Sequence, residues 1–426
     1  MPGKTFLMKR SAMLVLLGFG VLLGAARAQT ESVLYSFCAQ SNCNDGENPQ
    51  AGLLLDQQGN LYGTTYTGGP YNECGRQGGE GCGVLFKLTP EGKETVLHSF
   101  CARGYPCTDG GNPLAGLTFD QKGNLYGTTE YGGAHGEGVA FKLTPEGKYA
   151  VLYSFCAHDN CTDGYNPAAG MVLDQKGNLY GTTQMGGAYG AGVVFTLTPE
   201  GKETVLYSFC AHNNCADGYG SVAGLVFDQE GNIYGTTEYG GASNCYSGCG
   251  VIFKLTPEGK YKVLYTFCEQ SGCTDGANPL AGLVLDQKGN LYGTTSNGGV
   301  SDCGGSTCGV VFKLTPKGTE TVLYSFCSQS GCTDGEYPAA GLVSGPKGNL
   351  YGTTASGGER FAGVVFKLTP KGKETVLYSF CAQGGSTCTD GESPDAVLVF
   401  DQKGNLYGTT SNGGAYGSGT AFKLTP

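Results

Sequence analysis

The chain has 426 residues, and 26 basic side chains against 36 acidic ones give it a formal charge of −10. So acidic a chain is a poor partner for a phosphate backbone. Its 76 glycines and 17 prolines, set among Thr, Tyr, Phe and Val, leave no sustained 3.6-residue apolar stripe, which excludes a helical fold.

The first element is a leader. Lys4, Lys9 and Arg10 form a basic segment, Met13 to Ala26 an apolar one, and Ala26-Arg27-Ala28 a small-x-small cleavage site, so residues 1–28 read as a signal peptide cut before Gln29. The apolar run falls short of the roughly 20 residues that span a bilayer, and no later segment exceeds it. Loss of Lys4, Lys9, Arg10 and Arg27 takes the formal charge from −10 to −14. The expected product is a secreted or periplasmic monomer, residues 29–426, without a membrane span and without nucleic acid as a partner.

The remainder is a repeat array. Leu-Tyr-Gly-Thr-Thr, or a near copy, begins at Leu61, Leu125, Leu179, Ile233, Leu291, Leu350 and Leu406. The spacings, 54 to 64 residues, suit a four-stranded propeller blade. In the stretch from Gly282 to Cys327, a short apolar run ending at Asp286 turns through Gln287-Lys288-Gly289-Asn290 into Leu291 to Thr295, a tight hairpin. Beyond a glycine-rich loop, Val310, Phe312 and Leu314 alternate with Val311, Lys313 and Thr315, the period of a half-buried strand. Pro316-Lys317-Gly318 turns the chain into a fourth strand on which Val322, Tyr324 and Phe326 alternate. These four strands, a to d, predict an all-β, seven-bladed propeller of antiparallel blades. The glycine within each Tyr-Gly-Thr is expected to mark a close backbone approach between blades.

The strand count predicts how the ring closes. Seven a-b-c sets are present, and the last, in residues 395–426, has no fourth strand behind it. The spare fourth strand is Ser32 to Phe37, within residues 31–38, at the mature N-terminus. Pairing the two ends removes the open edges of the array.

The two ends of the blades differ. The a-b turns (Asp-Gln-Lys-Gly-Asn type) and the c-d turns (Thr-Pro-Glu-Gly-Lys type) are short, nearly constant and expected on one bland face. The b-c loops vary in length and share the other face with the d-a crossings, so any function is expected there.

Twenty cysteines in an exported chain should be oxidised. One close pair recurs in each repeat: Cys38/Cys43, Cys101/Cys107, Cys156/Cys161, Cys210/Cys215, Cys268/Cys273, Cys327/Cys332 and Cys381/Cys388. Cys74/Cys82, Cys245/Cys249 and Cys303/Cys308 account for the rest. Zinc wants four convergent ligands, and with four histidines in the chain and variable pair spacing, disulfides are the expected reading. Their expected role is to set the shape of short loops.

Reduced to Gly-Asn-Leu-Tyr-Gly-Thr-Thr-x-x-Gly-Gly followed by Gly-Val-Val-Phe-Lys-Leu-Thr-Pro, the repeat resembles the GloVer tandem-repeat family of exported bacterial proteins. That resemblance covers nearly all of residues 31 to 426 and implies a secreted or surface repeat protein with no established activity. Members often carry a C-terminal anchor, whereas this chain stops at Pro426. More distantly, Asp-Gln-Lys-Gly-Asn-Leu-Tyr is similar to the first hairpin of NHL-type propeller blades, which bears on fold alone.

Three patterns are candidates for chemistry. Every d-a crossing contains an Asp-Gly: Asp45, Asp109, Asp163, Asp217, Asp275, Asp334 and Asp390. These seven carboxylates are candidate calcium ligands around one channel mouth, or else each closes its own Asx-turn. A second aspartate, at Asp56, Asp120, Asp174, Asp228, Asp286 and Asp401, belongs to the a-b turn and gets no catalytic role. The residue after Thr-Thr, read as Tyr66, Tyr131 and Tyr239 in three repeats and as Met185, Asn297, Ser356 and Asn412 in the others, offers aromatic faces for a sugar. Tyr66, Tyr131, Tyr239, Asn297 and Asn412 are the candidate ligand-binding residues. The chain has no Trp, no Gly-x-Ser-x-Gly elbow, no His-Glu-x-x-His and no phosphate loop. The leading expectation is an extracellular binding or scaffold module for a polysaccharide or a protein. The alternative is a hydrolase or lyase of carbohydrates using a carboxylate pair at the channel mouth.

Overall fold

The short apolar runs on either side of each Asp-x-x-Gly-Asn turn, and the alternating runs that follow, do form strands. The computed structural model describes residues 30–71, 74, 81–241, 247–300, 302–303, 306–383 and 387–425, and the leader lies outside them. Seven antiparallel four-stranded sheets follow one another around a ring. In the first blade, strand a is Leu54–Leu55, b Leu61–Thr65, c Val84–Leu88 and d Glu94–Ser99. The next six blades repeat that order, and strand a is two residues long in each. The described residues hold no α-helix.

The ring closes as the strand count predicts. Thr30–Ser36 pairs antiparallel with Thr420–Thr425, placing Val33 opposite Phe422 and Tyr35 opposite Ala421. The last sheet therefore takes its outermost strand from the other end of the chain. Side chains bridge the same seam: the Thr409 hydroxyl donates to the Ala51 carbonyl at 3.2 Å. Equivalent bonds run from Thr128 to Ala169, Thr236 to Ala281 and Thr294 to Ala340. The first Thr of Thr-Thr thus ties strand b to the innermost strand of the next blade. The second Thr accepts the amide that opens strand c of its own blade, as Thr65 does from Val84.

Phenylalanines form the core between blades. Phe86 on strand c is fully buried and meets Phe37, at the end of strand d in the preceding blade, with ring centroids 4.9 Å apart. Six further pairs continue round the ring to Phe380 and Phe422 at 5.1 Å. Such pairs contribute about 0.5–1.5 kcal/mol each beyond their area burial. The mid-strand glycine serves this core in a way that differs from the expectation. A Cβ on Gly63 would stand 2.7 Å from Cζ of Phe86 and 2.9 Å from Leu53, so the glycine makes room for a ring of its own blade, not for a neighbouring backbone. The close backbone approach lies at the axis. There a Cβ on Gly170 would fall 3.1 Å from the Gly116 carbonyl oxygen, and one on Gly282 would fall 3.0 Å from that of Gly224. Val397 takes the glycine's place in the last blade, between Gly341 and Gly52.

Candidate functional site

The loop face is built from b-c loops pinned to d-a crossings. In each blade a residue of the crossing bridges one just past strand b, from Glu47 with Thr67 to Glu392 with Asn412. The recurrent cysteine pairs are bonded as expected: Cys38–Cys43, Cys101–Cys107, Cys156–Cys161, Cys210–Cys215, Cys268–Cys273, Cys327–Cys332 and Cys381–Cys388. Cys74–Cys82 is bonded too. Cys249 and Cys308 are also in disulfides; Cys245 and the Cys303 side chain lie outside the described residues.

Loop shaping alone does not describe the second cysteine of a recurrent pair. Cys161, Cys215 and Cys388 are partly buried, and each carbonyl oxygen accepts two glycine amides, one from its own crossing and one from the b-c loop of the same blade. Gly164 and Gly187 donate to Cys161, both at 2.9 Å, Gly218 and Gly241 to Cys215 at 2.8 and 3.0 Å, and Gly391 and Gly414 to Cys388 at 2.8 and 2.9 Å. These cysteines therefore anchor backbone and present no thiol to a ligand. Where a b-c pair exists, it packs against the recurrent one: Sγ atoms of Cys82, Cys101 and Cys107 all lie within 4.8 Å of one another, whereas Cys161, Cys215 and Cys388 join no such group of three among the described residues.

The seven crossing aspartates are buried, but the structure does not bring them to one mouth. Each sits under its own disulfide loop, against the outermost strand. Asp163 accepts the Tyr153 hydroxyl at 2.7 Å and the amides of Ala157 and His158 at 2.8 and 3.1 Å. Asp45, Asp217, Asp275 and Asp334 repeat that pattern with Tyr35, Tyr207, Tyr265 and Tyr324. Asp390 accepts Tyr378, and Asp109 faces Nε2 of His98 at 3.1 Å. Nor are these Asx-turns, because the amides bound lie five to eight residues upstream. The physical reason is the tight loop, whose inward amides need an acceptor. Among the described residues, no group of three ligand atoms within 4.8 Å includes any of the seven. Asx-turn chemistry belongs instead to the a-b turns, where Asp174 accepts the amides of Lys176 and Asn178 at 2.8 and 2.9 Å.

At the rim each crossing aspartate meets the strand d residue that pairs with the strand c leucine of the next blade. Five of those residues are glutamates. Glu31, Glu94, Glu203, Glu320 and Glu374 are raised to about 7, by burial first and then by Asp390, Asp45, Asp163, Asp275 and Asp334 respectively. In each, Oε1 is buried without a hydrogen-bond partner among the described residues. The other two seams use tyrosine. Tyr149 stacks on His98 at 3.8 Å and Tyr261 on Tyr207 at 3.9 Å, and their hydroxyls donate to the carbonyls of Asp109 and Asp217.

Around the channel opening the strand-end registers correct the reading of Tyr66. The bridges align Thr67, not Tyr66, with Tyr131, Met185, Tyr239, Asn297, Ser356 and Asn412. Tyr66 stands one position earlier, in a ring with Glu130, Gln184, Glu238, Ser296, Ala355 and Ser411. The amides of that ring donate to residues just before the innermost strands, Tyr66 to Asn48 and Glu238 to Gly220. The Tyr66 hydroxyl reaches across to Glu130 at 2.9 Å, and burial and that carboxylate push it up. Reading the Thr-Thr and Gly-Gly boundaries together would have shown the offset, since Tyr66 directly follows Thr-Thr whereas Thr67, like Tyr131, directly precedes Gly-Gly.

Three residues outside the sequence-derived set join this opening. Tyr337 replaces the usual Asn before the Pro of the crossing and is 42% exposed. Burial raises it, with the charges of Glu238 and Asp395 acting next. Glu238 and Asp395 are themselves raised by burial, Asp395 while accepting the Ser411 hydroxyl at 2.9 Å. Tyr239 stacks with Tyr219 at 5.2 Å and is pushed up to about 12 by its bond with Glu238 and by burial. Asn297 donates to the Asn278 side chain at 3.3 Å, and Asn412 to Ser411 at 3.3 Å. Tyrosine faces, carboxyls and amides thus surround one opening, a mixture suited to a polar ligand with apolar faces.

The fold and this opening define the protein as a seven-bladed propeller with its side-chain variety gathered on one face. The chain belongs to the Gloeobacter/Verrucomicrobia repeat family, whose model matches residues 17–160, 73–307 and 274–426. No curated protein matches the sequence. Among solved structures, the chain is similar to a candidate 6-phosphogluconolactonase of Bacteroides uniformis, with 16% identity over 84% of this chain and 89% of that one and a TM-score of 0.48. It is also similar to a gluconolactonase of Xanthomonas campestris (14% identity, 73% and 83% covered, TM-score 0.38) and to a luciferin-regenerating enzyme (14%, 74% and 91%, TM-score 0.43). These likenesses concern fold alone.

Proposed function

We propose that the chain is an exported binding module whose loop-face opening holds a carbohydrate. One observation carries this reading: Tyr337 lies near enough to Glu238 and Asp395 for both charges to raise it and near enough to Tyr239, stacked on Tyr219, to act on that ring too, so residues that vary from blade to blade gather at one end of the ring. Aromatic faces suit the C–H faces of a sugar, and half-buried carboxyls and amides suit its hydroxyls. The disulfides favour an oxidising compartment, as does the leader read from residues 1–28. No helix among the described residues is long and apolar enough to cross a membrane.

A hydrolase or lyase at the same opening is favoured by one feature, the upward shift of both Glu238 and Asp395, as a general acid requires. One experiment decides between the readings. Purified protein is incubated with a polysaccharide panel and scored for retention and for new reducing or unsaturated ends. Retention without new ends supports binding, and retention with new ends supports catalysis. Absence of retention and products on every polysaccharide refutes a carbohydrate role.

A further inference from the structure

The face expected to be bland holds a large groove. It lies between the fourth and fifth blades, on the side of the a-b and c-d turns, with a volume of ≈ 1020 Å³, at the upper end of ordinary ligand clefts. Lys254, Lys260 and Lys262 line it from the fourth blade and Lys288 from the fifth, over a floor that includes Phe227 and Tyr234.

One feature sets this groove apart from the other seams, and another belongs to its whole face. Lysines, unlike Arg103 and Arg360, are confined to the turn side of the ring. The b-c loops and d-a crossings contain no lysine; from Lys87 to Lys423 every lysine falls on the a-b turns, the c-d turns or the strand segments next to them. Lys262 is peculiar to the fourth blade: the strand d residue in its register is Ser32, Thr95, Ala150, Thr204, Thr321 or Thr375 elsewhere. At this seam a Cβ on Gly318 would lie 3.7 Å from the Leu264 carbonyl oxygen, against 2.5, 2.3 and 2.7 Å for Gly92, Gly201 and Gly372, while Gly147 and Gly259 at two further seams meet nothing within 4 Å.

Three carboxylates also line the groove. Asp228 and Asp286 are clasped by the Asn and Tyr of their own turns, Asn232 and Tyr234 or Asn290 and Tyr292. Glu230 is the remaining one, at a turn position that is lysine in five blades (Lys122, Lys176, Lys288, Lys347 and Lys403).

We propose that this groove is a second binding site, for a segment of acidic polysaccharide. Its lysines, contributed from both sides of the seam, suit carboxylates that recur along a chain, and Phe227 and Tyr234 give apolar surface for sugar C–H faces. This site does not rest on the loop-face reading.

The test is titration of the full chain with a hexauronate oligosaccharide, its carboxyl-reduced neutral counterpart and hexaglutamate, at low and moderate salt. The expected result is salt-sensitive binding of the uronate, with the reduced sugar and the peptide each at least about tenfold weaker. Lys262→Thr, which installs the residue of other blades, should weaken uronate binding about fivefold, and Glu230→Lys should tighten it to a similar extent. Lys148→Thr, at the exposed second-blade counterpart of Lys260, should leave it unchanged. No uronate binding at millimolar concentration, equal binding of the reduced sugar, or no response to either groove substitution overturns the site. Equal binding of hexaglutamate overturns its assignment to a sugar.

Discussion

The two faces of the ring use the same residue type, aspartate, in opposite ways. On the turn face, Asp56, Asp120, Asp174, Asp228, Asp286 and Asp401 each cap a local turn with bonds that span two to six residues. On the loop face, Asp45 and its six counterparts are buried and anchor a disulfide loop to the outermost strand. One set shapes hairpins and the other ties each disulfide loop to strand d. A repeated residue is therefore no guide to a shared ligand site until its partners are known.

The comparison breaks most visibly at the closure seam. Deleting residues 30–36 should strip the last blade of its outer strand and leave Thr420–Thr425 as an open edge. Its melting midpoint should fall by far more than that of any single substitution on the turn face. Within that seam, Phe37→Ala should cost about 3–5 kcal/mol in denaturant unfolding, because a fully buried ring leaves a cavity against Phe86. An unchanged midpoint for the deletion would mean that the ends do not lock the ring.

The aspartate sets separate next. Asp163→Ala leaves a tyrosine hydroxyl and two amides without an acceptor and should cost about 1–3 kcal/mol or more. Asp174→Ala, on a hydrated turn, should cost about 1 kcal/mol or less. Chemical denaturation of the two variants checks the ordering, and equal losses would erase the distinction drawn between the faces.

The pH profile is a subtler discriminator. The rim glutamates Glu31, Glu94, Glu203, Glu320 and Glu374 stand at about 7 in the folded chain, against an ordinary 4.5. Below 4.5 they are neutral whether the chain is folded or not, so their contribution is fully present; it is lost as pH rises through about 7. On the turn face, burial raises Asp120, Asp174, Asp228, Asp286 and Asp401, but bonds from Asn, Tyr and backbone amides outweigh it and the net shift is downward. Their contribution is present above the ordinary aspartate range and fades as pH falls below it. Melting midpoints should therefore peak in mildly acidic solution and decline up to about pH 7. Replacing the five glutamates with glutamine should flatten that decline, and an unchanged decline would assign it to other groups.

The smallest effect concerns Tyr66. Tyr66→Phe removes one half-buried bond to Glu130 and should change stability by about 1 kcal/mol, with its larger consequence in sugar retention. Equal retention by the variant would remove Tyr66 from the binding surface.

Much of this architecture was legible because a repeat states its own constraints. Seven copies of Leu-Tyr-Gly-Thr-Thr fixed the blade number, and the unmatched Ser32 to Phe37 run pointed to the seam that Thr30–Ser36 forms with Thr420–Thr425. The cysteine pairing was legible from spacing, but the backbone bonds gathered on Cys161, Cys215 and Cys388 were not, since a carbonyl leaves no mark in a sequence. The opening was less legible still, for physical reasons. Tyr337 and Asp395 sit at crossing positions where other blades have different residues, so no periodic pattern marks them; only the folded ring brings Tyr337 within reach of the Glu238 and Asp395 charges. The pairing of Glu94 with Asp45 likewise arises because strand d of one blade starts where that of the preceding blade ends. Sequence periodicity reports contacts within a blade and is silent on those between blades. The groove between the fourth and fifth blades was missed for the same reason, since Lys262 and Lys288 belong to different repeats.

The central claim, that the loop-face opening is where a carbohydrate is held, is tested most directly by a crystal structure of the protein with an oligosaccharide cut from whichever polysaccharide it retains. The account predicts sugar density over Tyr337, flanked by Glu238 and Asp395 and within reach of Tyr66 or Tyr239. A retained sugar seated elsewhere, with the opening empty, would contradict it.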